Sequence, residues 1–323
     1  MRHGTGQPGM KIKNEDYHIR DYRPGDEQAI VGLFDQVFGK RLTENQWRWK
    51  YVADGSIPPL RLAFDASGRL AGHAGAIPLR GWRRGRPLPF FQICDVMVHP
   101  DARGGLGDRN LFARLVRGLL GGVAERWPDA FAYGFPGQRP YRLGERTRVY
   151  GEVERARVVH RPARRNLLPL LGVRALDWND ARLNGLWMRL APGFRLALIR
   201  DGDYLRWRYA ANPFHAYRLL GLYWGTRLFG WAVVRSDHER LLIVDLLAPR
   251  RWLRLALAAL DRIAASEGVG EVDIWLPGGW REAAGKRVES TEVVVTNMVW
   301  GLQIPTADVR DELYYTMGDL DIF

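Results

Sequence analysis

The stretch CDVMVHPDARGGLGDRNLFARLV, residues 94–116, decides how the chain is read. A short apolar run ends at Pro100, a turn carrying Arg103 and the glycines Gly104, Gly105 and Gly107 follows, and Leu111, Phe112, Leu115, Val116, Leu119 and Leu120 then keep helical spacing. The pattern is a strand, a glycine-rich turn and the start of a helix. Backbone N–H groups at a helix start have no intrahelical partner, and the helix dipole is positive at that end. A turn without side chains lets an anion approach them, so the stretch suits a phosphate or pyrophosphate. It is not a P-loop, because no Gly-Lys-Ser/Thr follows, and it lacks the six-residue glycine spacing of a dinucleotide fingerprint.

Working outward, the chain repeats itself. ENQWRWKYVADGSIPPLRLAFDASGRLAGHAGAIP (44–78) is echoed by GDYLRWRYAANPFHAYRLLGLYWGTRLFGWAVV (202–234). Both run from an aromatic-basic helix end, Trp49-Lys50-Tyr51 or Trp207-Arg208-Tyr209, through a proline-containing loop into two alternating strands. QICDVMVHP then matches LIVDLLAP, aligning Asp95 with Asp245 and Pro100 with Pro249. Helical segments are expected over about 109–124 and 251–267, each followed by a strand closing on Pro-Gly, in AFAYGFPG and VDIWLPGG. The second turn, APRRWLRLA, has no glycine. If glycine served only to join this strand to this helix, both turns would need it, so its restriction to the first favours a ligand there.

The 323 residues, 46% of them hydrophobic, suffice for one large domain or two ordinary ones. The reading is α/β, with a mixed sheet flanked by helices in each of two related domains. A flexible tail is expected over 1–16, a first domain over 17–160, a connector over 161–198 with a helix around Asp180 to Leu190, and a second domain over 199–323. No apolar run reaches membrane-spanning length, the N-terminus has no apolar signal core, and the single cysteine, Cys94, sits in an apolar run. A soluble cytoplasmic protein without an internal disulfide is therefore expected. The charge of +12 is almost all arginine and comes without a helix-turn-helix, zinc-ligand or RNA-binding motif, which argues against nucleic acid. RARVVHRPARR (155–165) reads as a solvated connecting segment or, alternatively, as a patch facing an anionic partner. The C-terminal YYTMGDLDIF, with Asp319 and Asp321, reads as a solvated tail or as a lining of the acceptor cleft.

VMVHPDARGGLGDRNLF, the strand pair in GRLAGHAGAIP and the segment YGFPGQRPYRLGERTRVYGEV together resemble the GNAT acetyltransferase superfamily. The resemblance covers residues 17–160. It extends to the second half in outline, without the phosphate loop, as in tandem members with one working and one degenerate domain. It implies acyl transfer from acetyl-CoA, or a longer acyl-CoA, to the amine of a small-molecule acceptor, with no metal. Backbone groups of Met97 and Val98 would meet the pantetheine arm, and Arg103, Gly104, Gly105, Leu106, Gly107 and Asp108 would hold the pyrophosphate, with Gln138 also against the cofactor. A backbone N–H near Val98 would face the oxyanion. Tyr141 takes the position of the proton donor to the leaving thiolate, or else packs the short helix. Asp95 is the candidate general base, although its match to Asp245 points to a structural role. His73, His99 or a water chain are alternatives. A second class of function is an inactive CoA-binding or scaffold protein whose basic connector recruits an acidic partner such as an acyl carrier protein. A monomer or homodimer fits either.

Overall fold

A computed structural model describes residues 17–52, 55–104, 110–165 and 171–321. The elements come in two runs of the same order. The first holds β1 (His18–Asp21), α1 (Glu27–Phe38), α2 (Glu44–Tyr51), β2 (Leu60–Phe64), β3 (Leu70–Arg83), β4 (Arg86–Val98), α3 (Leu111–Arg126), β5 (Phe131–Gly134), α4 (Gln138–Arg146) and β6 (Tyr150–Pro162). The second holds β7 (Leu171–Ala175), α5 (Arg182–Leu190), β8 (Leu196–Leu198), α6 (Gly202–Leu205), β9 (Arg218–Trp224), β10 (Arg227–Asp237), β11 (Arg240–Leu247), α7 (Leu253–Ser266), β12 (Glu271–Trp275), α8 (Gly278–Ala284) and β13 (Val288–Met298), and α9 (Thr306–Glu312) follows. β8 is the one strand of the second run without a counterpart in the first.

By compactness the chain divides into two units, residues up to Ile77 with Ile93–Arg126, and Pro78–Gln92 with Trp127 onward. In the first unit β1 pairs antiparallel with β2, and β2 with β3. The apolar face of α3, with Leu111, Phe112, Leu115, Val116, Leu119 and Leu120 all buried, carries out the helical spacing read from the sequence. α2 starts at a capping box in which Thr43 and Gln46 exchange hydrogen bonds.

In the second unit the strand order is β5-β13-β6-β12-β11-β10-β9-β7, with β11 and β12 parallel and the other neighbours antiparallel. The last strands of the two runs are exchanged. β6, which closes the first run, pairs with β12 from Val158↔Trp275 to Pro162↔Glu271, and β13, which closes the second, pairs with β5 at Thr296↔Gly134 and Asn297↔Tyr133. Much of the arginine-rich segment 155–165 is thus strand: Arg155 and Arg157 are exposed while Ala156, Val159 and His160 face inward. The segment 161–198 contains β7, which extends the sheet beside β9, the helix α5, and β8, which pairs with β3 at Arg83↔Leu196.

His160, Glu271 and Asp273 bring three possible metal-ligand atoms within 4.8 Å of one another. Arg240 already donates to Asp273 at 2.7 Å and pairs with Glu271 at 3.0 Å, so the cluster acts as an ionic tie between β11 and β12, which His160 joins from β6 at 2.7 Å from Asp273.

Candidate active site

The two runs share a tyrosine–aspartate contact. At the end of α2 the hydroxyl of Tyr51 donates to Asp95 Oδ2 at 2.7 Å, and in the second run Tyr209 donates to Asp245 Oδ2 at 2.8 Å. Burial, followed by the nearby carboxylate, pushes both phenols well above their ordinary pKa. Each copy adds its own cation. Lys50 pairs with Asp95 at 2.7 Å, with both side chains below a tenth exposed, and Arg200 pairs with Asp245 at 3.0 Å, both fully buried. The carboxylate of Asp95 is therefore occupied by a lysine and a tyrosine, the same service that Asp245 performs where no glycine turn exists. Its backbone is the unusual part. Asp95 has φ +48 within β4, and its carbonyl lies 2.6 Å from Nδ1 of His73, whose pKa burial lowers.

Beyond Asp95, Met97 is fully buried and Val98 half-buried. Pro100–Ala102 form a short 3-10 turn in which His99 Nδ1 accepts from the Asp101 N–H at 3.3 Å, and Arg103 reaches back to donate from Nε to the Val98 carbonyl at 3.0 Å. Gly104 has φ +138, a conformation that only glycine adopts without strain. Gly105, Leu106, Gly107 and Asp108 lie outside the described residues. In the second run the matching 3-10 turn, Arg250–Trp252, passes directly into α7 at Leu253, whereas in the first run residues 103–110 separate the turn from α3. Of these two matching junctions, the longer is the one whose sequence carries glycines.

Gln138 and Tyr141 stand on α4, in the second unit. Gln138 is the first helical residue after the N-cap Gly137, and its buried amide Nε2 has no hydrogen-bond partner among the described residues. The Tyr141 hydroxyl donates to Glu145 Oε1 at 2.7 Å, and burial followed by that bond raises its pKa. A proton-donor role thus requires the hydroxyl to leave Glu145. The structure joins Asp95, Met97, Val98, Arg103 and Gly104 on one strand end, and Gln138 with Tyr141 on one helix. Two clefts of about 400 and 410 Å³ occupy equivalent places in the two runs, one against Tyr22, Glu27, Arg48 and Ile57, the other against Trp178, Tyr209, Phe214 and Tyr217. Neither is lined by the β4 end or by Tyr141.

Residues 18–144 match the family model of the acetyltransferase (GNAT) domain. Solved structures extend the GNAT-type fold over most of the chain. A GCN5-related N-acetyltransferase from Anabaena variabilis aligns at TM-score 0.66 and 14% identity, covering 88% of this chain and 73% of its own. One from Kribbella flavida aligns at 0.64 and 18%, covering 87% and 71%. The N-myristoyltransferase of Saccharomyces cerevisiae, solved with bound myristoyl-CoA, aligns at 0.57 and 11%, covering 88% and 82%. No curated protein matches. Among the described residues no helix is long and apolar enough to cross a membrane.

The Tyr–Asp pair was absent from the sequence reading, although its signal was there: Tyr51 and Tyr209 recur at one position of the repeat, Asp95 and Asp245 at another.

Proposed function

We propose that the protein is an acyl-CoA-dependent N-acyltransferase that moves an acetyl or longer acyl group to the amine of a small acceptor, with the first run holding the cofactor. The observation that carries this reading is the asymmetry of the two strand-to-helix junctions, since only the one inside the GNAT match has backbone inserted ahead of its helix. In the proposed reaction, backbone groups of Met97 and Val98 orient the pantetheine and the turn from Arg103 to Asp108 binds the pyrophosphate. The acceptor nitrogen attacks the thioester carbonyl as a neutral amine, a tetrahedral oxyanion forms, and the C–S bond breaks to release CoA thiolate. The amine proton passes to solvent, and the thiolate takes a proton from a donor. Asp95 is assigned to holding β4 through Tyr51 and Lys50, not to proton removal.

The test is release of free thiol from acetyl-CoA and from longer acyl-CoA by the purified chain, across amine acceptors. Amine-dependent thiol release is expected; release that never depends on an amine, with any chain length, overturns the reading.

Tyr141 is the proposed proton donor. Tyr141→Phe keeps the ring and removes its proton, and turnover is expected to fall about a hundredfold with CoA affinity and melting temperature unchanged, the low end for general-acid assistance. A fall below about threefold would make Tyr141 a residue that anchors α4 through Glu145.

A further inference from the structure

β11 and β12 pair in parallel from Arg240↔Glu271 to Ile243↔Ile274, where their ladder ends, while β11 continues to Leu247. Parallel strands that part at their C-terminal ends open a wedge lined by backbone groups that need partners. Residues 314–320 of the chain lie against the β11 side of it. Every residue from Leu313 to Leu320 is buried. The Tyr314 hydroxyl donates to the Leu246 carbonyl at 2.6 Å, and Thr316 Oγ1 to Asp245 Oδ1 at 3.0 Å. At Gly318 a Cβ would stand 3.2 Å from the Val244 carbonyl and collide with the Tyr209 hydroxyl at 1.9 Å. Residues 314, 316 and 318 thus meet β11 at 246, 245 and 244 in turn, a segment that runs antiparallel to the strand and winds into a 3-10 turn over Met317–Asp319. On its other flank the Tyr314 N–H donates to the Leu196 carbonyl at 2.8 Å, and the Tyr314 ring packs 4.6 Å from that of Trp280 on α8. Arg208 fixes the end of the segment by donating to the carbonyls of Gly318 and Leu320.

The place matters because of the repeat. Asp245 matches Asp95, so Leu247 and Ala248 match Met97 and Val98, the residues assigned to pantetheine. We infer that residues 314–320 are a built-in occupant of the second run's counterpart of the cofactor groove, closing it, so that each chain takes a single acyl-CoA. The inference rests on the acyl-CoA reading for what the groove would otherwise hold, and on the second unit alone for what fills it. Pantetheine is a narrow chain of amides and methylenes. A segment that is glycine at its tightest contact lies as close to the strand as such a chain would, and its two hydroxyls take the Leu246 carbonyl and the Asp245 carboxylate.

The experiment is hydrogen exchange read by mass spectrometry on the full chain, with the stoichiometry of CoA binding measured in parallel. In the wild type, amides of 313–320 and of 244–247 should exchange slowly, and one CoA should bind. The double variant Tyr314→Phe, Thr316→Val keeps volume but removes both hydroxyl bonds, so both stretches should exchange about tenfold faster together while Leu111–Arg126 does not change. Should the double variant fail to fold, Tyr314→Phe alone removes the bond to Leu246 and is read the same way. Free exchange of 313–320 in the wild type, a variant that alters neither stretch, or two CoA per chain would overturn the inference. A chain that binds no CoA yet shows the coupled exchange would sink the acyl-CoA reading and leave 314–320 as the occupant of the wedge.

Discussion

Arg200→Met should cost the protein about 3–5 kcal/mol, the penalty for leaving buried charge without its partner. Arg200 is fully buried, with Nε 3.0 Å from Asp245 and Nη2 2.5 Å from Asp319, and those carboxylates are 0% and 3% exposed. Methionine fills similar space and carries no charge, so two carboxylates would remain together in the interior. Tyr209, Thr316 and the Leu246 N–H would still donate to Asp245, which softens the loss but does not supply a counter-charge. At roughly 2–4 °C per kcal/mol for a unit of this size, the melting temperature should drop by about 10 °C or more.

The pH dependence of that loss identifies its cause. Burial pushes the Asp319 carboxyl above its ordinary pKa, while Arg200 pulls it down. Without the arginine, burial and the neighbouring carboxylate should hold Asp319 further above the unfolded-state value of about 3.9. A carboxyl whose folded pKa exceeds its unfolded one costs stability above the unfolded pKa, and the cost is relieved as pH falls through the folded value. The gap between variant and wild type should therefore narrow from pH 7 to about pH 5. Adding Asp245→Asn and Asp319→Asn to Arg200→Met should recover most of the stability at neutral pH. Differential scanning calorimetry across that range checks both. A pH-independent loss would make it a matter of packing, and no loss would mean that the buried triad contributes nothing.

How far the sequence reaches can be seen at Asp319. The tail 314–323 is polar enough to read as solvated, and nothing local marks Asp319 as buried. Its partner Arg200 lies 119 residues away, and burial of a charge is decided by the partner, which periodicity does not name. The same limit hid the strand exchange. The segment YGEVERARVVHRP alternates as a strand should, but alternation specifies which face is buried and not which strand lies beside it. What was legible rested on local rules: the two strand-strand-strand-helix-strand runs, the helices near 111 and 253, and the connector helix at Arg182–Leu190 come from period and punctuation. At the candidate site, the strand end and the start of the turn as far as Gly104 were legible because glycine and proline act within a few residues. The hydroxyl of Tyr141 was not, because its preference for Glu145 depends on how deeply α4 is set.

The glycine turn supplies the larger functional effect. Gly105→Glu should weaken CoA binding at least a hundredfold, measured by isothermal titration. If residues 103–108 hold the pyrophosphate, the new side chain blocks the approach of the anion to backbone N–H groups and places a like charge against it. Losing two charge-assisted hydrogen bonds at about 1.5–3 kcal/mol each corresponds to a factor of about 10² to 10⁴. Gly107→Glu should act alike. The matching turn of the second run offers the control, since Arg251→Glu adds a carboxylate at an exposed position of a turn that runs straight into α7. That variant should alter CoA affinity less than threefold. Both glycine variants should keep the wild-type melting temperature within about 2 °C if the effect is on binding and not on folding. Unchanged affinity in Gly105→Glu would place the pyrophosphate elsewhere, and the inserted residues between β4 and α3 would then owe their glycines to the turn alone.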